Sequence, residues 1–318
     1  MFSAQLPGTT YKLISATGAA GKSPTVVFSI TNAAGAVIPP SSMSSLSLVM
    51  SGPTLDYGAL QNGTAAYISE TATAAAASGS NWTYTFTNKI PATATGTYAI
   101  GIEGYVNITI NPGTVISQVV RDSGSPQVIY FSVDGSAVVP RRTVVTEANC
   151  DTCHYVLNAH GGFRRNVTYC VLCHNPNQTD APTRPAADLP VETVHFKELI
   201  HKVHNSANLV STYTIYGFGG SVNNFNSILF PGNTQDCVKC HAAGTQNVPL
   251  PAGVLNTQTA REWITPTTQP MTAACTACHD DQATSVHALS NTSTVLGESC
   301  DVCHGVSAAY AVSTVHVP

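Results

Sequence analysis

All ten cysteines of the chain fall into five pairs with two residues between partners, and a histidine directly follows each pair. They read Cys150-Asp-Thr-Cys153-His154, Cys170-Val-Leu-Cys173-His174, Cys237-Val-Lys-Cys240-His241, Cys275-Thr-Ala-Cys278-His279 and Cys300-Asp-Val-Cys303-His304. This is the C-x-x-C-H pattern of covalent haem attachment. Two thiols add across the vinyl groups on one edge of a porphyrin, and the next residue then lies under the iron, where an imidazole nitrogen can coordinate it. Structural zinc also uses C-x-x-C pairs but takes four ligands per ion, so five pairs leave one unmatched and the fixed histidine unexplained. Disulfides leave that histidine unexplained too, and a thioredoxin-like pair stands singly beside a βαβ pattern that is missing here. Five covalently attached haem c groups are the expected cofactors.

Six further histidines remain: His160, His195, His201, His204, His287 and His316. Met271 is the only methionine beyond residue 146, so bis-histidine ligation of five irons is the natural accounting, with one histidine to spare. Such ligation withholds the methionine that raises a haem's potential, so low potentials are expected. The stretch from Val194 to His204 reads as a helix with Phe196, Leu199, Ile200 and Val203 on one stripe. His201 and His204 lie close on that helix and can address different porphyrins. His195, at its start, fits a cap, a salt partner, a propionate contact or a ligand. His160 follows His154 by a short tether and is expected to serve a neighbouring haem. His316 is expected to wrap round to the far face of the haem held by His304.

Residues 146–318 would carry all five macrocycles, with Pro, Asn and Thr filling the links. So short a segment cannot wrap each haem separately. The haems must supply much of its apolar core and nearly touch, so that electrons can hop along the row and the haem-free chain should not fold. From residue 147 onward there are seven basic and twelve acidic side chains, a net of −5. Each ferric bis-histidine haem adds about −1, which takes this half to about −10 and predicts proton-coupled electron uptake. Arg141, Arg142, Arg164, Arg165, Lys197 and Lys202 are candidate propionate partners or solvated surface charges.

The elements before this half carry different chemistry: residues 1–149 hold no cysteine or histidine. Trp82, Tyr84 and Phe86 alternate with Thr83, Thr85 and Thr87, as a half-buried antiparallel strand requires. Val26, Phe28 and Ile30 form a second row, Tyr98, Ile100 and Ile102 a third, and Val106, Ile108 and Ile110 a fourth after Gly104. Gln127–Val133, Tyr11–Ser15 and Leu46–Met50 bring the count to about seven. Residues 71–80 read as a surface loop before Trp82. The expected architecture is an all-β sandwich or Greek-key barrel over 1–145, structural or docking in role. It is followed over 146–318 by a pentahaem domain with little regular secondary structure and a few short helices.

A net charge of −4 gives nucleic-acid binding little support. No apolar run reaches the roughly 18 residues of a membrane span. The opening residues lack the charged and apolar regions of a signal peptide, yet haem c is attached on the oxidising side of the membrane. Residue 1 therefore reads as a processed start of an exported chain.

Several segments together resemble one family. They are Gly52-Pro53-Thr54-Leu55-Asp56-Tyr57, Gly96-Thr97-Tyr98, Arg141-Arg142 before the first Cys pair, His160-Gly161-Gly162-Phe163-Arg164, Ile200-His201-Lys202-Val203-His204, and Cys303-His304-Gly305 leading to Val315-His316. In this order they resemble the outer-membrane multihaem c-type cytochromes of the OmcA/MtrC type, across essentially the whole chain. The resemblance implies a β-barrel-like domain followed by a pentahaem domain. It also implies electron delivery to extracellular acceptors: metal oxides, flavins or partner cytochromes, including an outer-membrane porin-cytochrome complex. It puts His160, His201, His204, His287 and His316 at distal-ligand positions and leaves His195 out. It implies a place on the cell-surface face of the outer membrane, or secretion. Typical members repeat the unit to carry ten haems, whereas this chain holds one, as a half-length member or a fragment would. No cysteine pair stands in the β half, so a disulfide switch there is excluded. Two other functions compete: a subunit of a polymeric haem wire, self-associating through a donated His316, and a reductase of a small substrate such as nitrite, which needs an open iron.

Overall fold

A computed structural model describes residues 5–59, 66–259 and 267–317. The chain falls into two compact units, Met1–Arg142 with Cys150–Cys173, and Thr143–Asn149 with His174–Pro318. Compactness therefore does not divide the chain at 145/146, where the chemistry changes. The segment bearing the first two Cys pairs packs with the β-rich unit.

Nine strands form before residue 133 among the described residues: β1 (Thr10–Thr17), β2 (Thr25–Thr31), β3 (Ser45–Ser51), β4 (Ile68–Thr71), β5 (Ala76–Ser78), β6 (Asn81–Thr85), β7 (Thr97–Ile110), β8 (Gln118–Asp122) and β9 (Gln127–Ser132). They make two antiparallel sheets. One has the order β1-β2-β6-β5; in the other β4-β3-β7 is continued by β9 along Thr97–Ile102 and by β8 along Val106–Ile110. Tyr11, Val26, Phe28 and Ile30 from the first sheet join Leu46, Leu48, Met50, Ile100 and Ile102 from the second in one core cluster. The result is a sandwich of two open sheets.

Three differences from the sequence expectation have physical reasons. The rows before and after Gly104 belong to one long strand, β7, not two. Gly104 is needed there because a Cβ would meet the Ser45 carbonyl oxygen of β3 at 2.4 Å. Residues 76–78, expected in a loop, form the edge strand β5, which turns into β6 through Gly79 at φ +62°. β4 and β8 also join the count, both short strands at sheet margins.

The remaining elements are short helices: α1 (Glu147–His154), α2 (Val167–Cys173), α3 (Phe196–Asn205), α4 (Pro270–Cys275), α5 (Gln282–Ser290), α6 (Asp301–His304) and α7 (Val312–Val315). Two- and three-residue ladders link some of them, such as Thr214–Tyr216 with Val222–Asn224. Among the described residues no helix is long and apolar enough to cross a membrane.

Candidate functional site

The Cys pairs stand on single turns of helix. α1 contains the whole first motif and α2 ends on Cys173. In the last three motifs the histidine amide donates to the carbonyl of the first cysteine: His241 to Cys237 at 2.9 Å, His279 to Cys275 at 2.9 Å and His304 to Cys300 at 2.8 Å. One turn of helix puts residues i and i+3 on the same face and carries i+4 beside them. Both sulfurs and the imidazole thus leave the backbone from one side, as a single macrocycle edge demands. None of the ten cysteines is in a disulfide. Burial pushes the thiols of Cys173 and Cys278 up to about 12 and that of Cys300 to about 11, so these are not the acidic thiols of disulfide exchange.

The histidines meet in twos. His201 and His241 have ring centroids 6.0 Å apart, His279 and His316 are 5.9 Å apart, and His287 and His304 are 6.2 Å apart. Two imidazoles on opposite sides of one metal have centroids about 6 Å apart, twice the sum of a bond near 2.0 Å and a ring radius near 1.1 Å. Each pair joins one C-x-x-C-H histidine to one of the additional histidines. His316 was expected beside His304; its ring instead lies against that of His279, and His287 takes the place beside His304. The reason is local: α5, capped by Asp281 through the Thr284 amide at 2.9 Å, presents His287, and α7 presents His316 at its C-terminal end.

Four histidines engage Nδ1 in the same way. Nδ1 stands 2.8 Å from the Val194 carbonyl in His174, 2.8 Å from the Ile200 carbonyl in His204, 3.0 Å from the Tyr310 carbonyl in His304 and 3.1 Å from the Val312 carbonyl in His316. A carbonyl can only accept, so each Nδ1 donates its proton there, which makes Nε2 the ring nitrogen available to a metal. His241 Nδ1 lies 3.2 Å from Thr245 Oγ1. Burial lowers the pKa of His201 to about 4, with His241 and Lys197 adding to the effect, and burial lowers that of His241 too. Neutral imidazoles are what iron ligation needs. This donor set fits a bis-histidine haem at three of the five motifs. His154 and His174, with the additional His160 and His204, remain after the three pairs.

His195 is only 4% exposed and its Nδ1 lies 2.8 Å from Thr257 Oγ1. It precedes α3 without making a side-chain cap. It holds α3 to the segment around Thr257, a structural role within this unit.

The loop that presents His160 is built on β7 and β8. His160, Gly161 and Gly162 have φ of 53°, 78° and 103° in succession, a left-handed run that explains the two glycines. Arg121 of β8 stacks over Tyr105 and reaches the Gly161 carbonyl at 3.3 Å, while Phe163 lies against Tyr105. Behind the loop, Arg164 forms a two-pronged pair with Glu103 of β7, Nε to Oε2 at 2.5 Å and Nη2 to Oε1 at 2.6 Å. Asn166 accepts from the Thr168 amide at 2.9 Å and begins α2. α2 is seated on β7 at Gly101, where a Cβ would stand 2.6 Å from Leu172 and Tyr169.

The basic residues singled out from the sequence have protein partners. Arg141 and Arg142 both donate to Asp56 Oδ1, at 2.9 and 3.0 Å. Arg165 reaches Ser123 Oγ, Lys197 the Pro270 carbonyl, and Lys202 the carboxylates of Glu192 and Glu198. The carboxylate partners of Arg141, Arg142 and Arg164 are distant in sequence, which spacing alone could not reveal. On α3 the fully buried side chains are Glu198 and Lys202, and the stripe of Phe196, Leu199, Ile200 and Val203 is only half-buried by protein. Val238 and Val302, inside the third and fifth Cys pairs, are exposed. Apolar side chains left open around paired imidazoles suit contact with a macrocycle.

Sheets, short helices, C-x-x-C-H turns and paired imidazoles define a c-type cytochrome architecture. Residues 142–317, more than half of the chain, match the family model of outer membrane cytochromes described as MtrC/MtrF-like, domains II/IV, and the chain belongs to that family, whose members bind haem c. The fold matches the crystal structure of MtrC from Shewanella baltica OS185 at a TM-score of 0.58 and 16% identity, over 95% of this chain and 52% of that one. It matches the outer membrane decahaem cytochrome OmcA at a TM-score of 0.60 and 18% identity, over 98% of this chain and 48% of that one. The chain thus spans about half the length of these two proteins. No curated protein matches it.

Proposed function

We propose that this chain is an electron conduit of extracellular electron transfer, with residues 146–318 acting as a pentahaem domain on the outward face of the outer membrane. The observation that carries the reading is the set of three imidazole pairs at 5.9–6.2 Å, each next to a C-x-x-C-H turn. Haem c, when bound, supplies a one-electron couple at each such pair. The chain's part would be to anchor the ring through two thiols, hold it with two imidazoles and cover it with apolar side chains. His154, His174, His241, His279 and His304 are the proximal ligands, and His160, His201, His204, His287 and His316 the distal ones. Ligands on both faces close an iron to small substrates, which favours transfer over catalysis. His316 stands against His279 of its own chain, which counts against a wire built by donating it to a neighbour. Metal oxides, flavins or further multihaem cytochromes are the acceptors and partners that suit a low-potential, acidic conduit.

Protein purified from a host competent in c-type maturation should carry five haems per chain, all low-spin. His316→Ala should convert one haem to a high-spin form that binds carbon monoxide when reduced, whereas His195→Gln should leave all five low-spin. A colourless product, a haem count other than five, or a high-spin signal from the His195 variant would overturn the assignment.

A further inference from the structure

His201 differs from the other helix-borne imidazoles in what stands behind its ring. His204, on the same helix, and His316, at the end of α7, each direct Nδ1 at the carbonyl four residues earlier, Ile200 at 2.8 Å and Val312 at 3.1 Å. The ring of His201 lies instead with its plane 19° from that of His241. Its Nδ1 is buried with no hydrogen-bond partner among the described residues. Across the pair, His241 is anchored. Thr245 Oγ1 stands 3.2 Å from its Nδ1 and turns its own proton to the carbonyls of Val144 and Ala242, so that oxygen accepts from the ring. The third pair therefore has one ring held from behind and one that is not. His287 has no such need, because it is exposed and water can serve it.

We propose that His201 is the distal ligand most readily displaced, so that the haem site of Cys237, Cys240 and His241 is where this row admits a small anionic donor of the cyanide kind. The inference rests on the conduit reading and goes beyond it, by giving one site a capacity to bind. An acceptor behind a ligating imidazole fixes its orientation and raises its basicity, and loss of such a partner weakens metal binding by about 10–100-fold. His201 lacks that support. Ligation through Nε2 also confines its proton to Nδ1, where a buried donor without an acceptor carries a desolvation cost that nothing offsets. Release lets the ring turn or move its proton to the other nitrogen, which relieves that cost. In the exchange the entering donor supplies the electron pair of the new bond, Nε2 departs with its own pair, and the oxidation state of the iron is unchanged.

The test uses the oxidised holoprotein, once its haem count and low-spin state have been measured. Cyanide is titrated at fixed pH, and electron paramagnetic resonance reports which low-spin signal is replaced. The signals are assigned by their losses in His201→Ala and His287→Ala. If His201→Ala fails to load its haem, the rhombic signal that ring planes 19° apart give identifies the site in the wild-type protein. The His201 signal should give way at about 10–100-fold lower cyanide than any other, the signal of the exposed His287 included. Replacement in that order supports the proposal. Earlier loss of the His287 signal, loss of all signals together, or resistance of every signal to cyanide overturns it. Fewer than five haems, or high-spin haem before cyanide is added, defeats the conduit reading and the inference with it, and the initial measurement reports that separately.

Discussion

Replacing Gly101 with alanine tests whether the sheet positions the second Cys pair. A Cβ at this place would lie 2.6 Å from Leu172 Cδ1 and 2.6 Å from Cδ2 and Cε2 of Tyr169, where carbons in ordinary contact keep about 3.5–4.0 Å. The overlap is about 1 Å, and it falls on side chains buried to 0% and 1% exposure. Neither has free space to turn into, so α2 must back away from β7 or the strand must yield. Overpacking of this kind costs about 1–3 kcal/mol. Loss of glycine's freedom in the unfolded chain offsets about 0.4–1 kcal/mol, which leaves a net destabilisation of about 1–2 kcal/mol. Guanidinium unfolding of the holoprotein, followed by far-ultraviolet circular dichroism, measures it as a lower midpoint at unchanged slope. Leu172→Ala alone should cost about 2–5 kcal/mol. The added methyl can enter part of the space the leucine leaves, so the double variant should fall short of the sum by at least about 0.5 kcal/mol. Gly101→Ala as stable as wild type, or strict additivity, would show that the close approach of α2 to β7 does not matter.

Two further outcomes follow from the same geometry. Burial raises the pKa of Glu70, but the hydrogen bonds it accepts from the Thr87 and Asn88 amides, the Asn88 side chain and the Tyr84 hydroxyl outweigh this and hold it below its usual value. A depressed carboxylate contributes stability that is complete above its unfolded pKa, near 4.3, and is lost as pH falls through the folded value. Glu70→Gln should therefore lower stability at neutral pH by about 1–3 kcal/mol and flatten the acid limb of a stability–pH curve; an unchanged acid limb would refute this. The ring planes of His201 and His241 are 19° apart and those of His287 and His304 are 90° apart. Parallel ligand planes split the two iron d orbitals that overlap the rings, and perpendicular planes leave them nearly degenerate. Electron paramagnetic resonance of the oxidised protein should show a rhombic low-spin signal lost in His201→Ala and a strongly anisotropic one lost in His287→Ala. The reverse assignment would contradict the ring geometry.

What could be read from the sequence follows from where each physical signal lives. β2 was legible because Val26, Phe28 and Ile30 bury one face completely while their neighbours do not. β5 was not, because Ala76, Ala77 and Ser78 are exposed on both faces and depend on pairing with β6. The C-x-x-C-H turns declare themselves because haem chemistry fixes residue type and spacing within five positions. The partners of the distal histidines do not, because His279–His316 and His287–His304 are set by how α5 and α7 fold back, which is a matter of tertiary structure. The same limit hid the basic residues' partners. Asp56 and Glu103, scattered singly along the chain, are the groups that hold Arg141, Arg142 and Arg164. Asp56-Tyr57 and Arg141-Arg142, two separate marks of the family resemblance, turn out to touch, with the Arg141 guanidinium 5.5 Å from the Tyr57 ring centre.

α3 shows why the haem half cannot be understood as an ordinary core. Its spacing of Phe196, Leu199, Ile200 and Val203 predicts an apolar face turned to protein, yet the residues that protein covers most completely are Glu198 and Lys202. Lys202 reaches Glu192 at 3.1 Å and Glu198 at 3.6 Å, and lies 4.9 Å from the centre of the Tyr213 ring. A buried ion cluster of this kind is weak as a source of stability, because desolvation offsets most of the attraction; its geometry fixes the rotation of the helix. That rotation brings the ring of His201 to His241 and leaves the apolar stripe half open. Among the described residues the hydrophobic cluster lies between Tyr11 and Val133. The buried apolar side chains of the second half, such as Tyr213, Ile215, Val248 and Met271, are scattered outside it, so this half is suited to a further source of apolar burial. Macrocycles held between paired imidazoles would provide it, and the polar specificity of α3 would then decide which surface they meet.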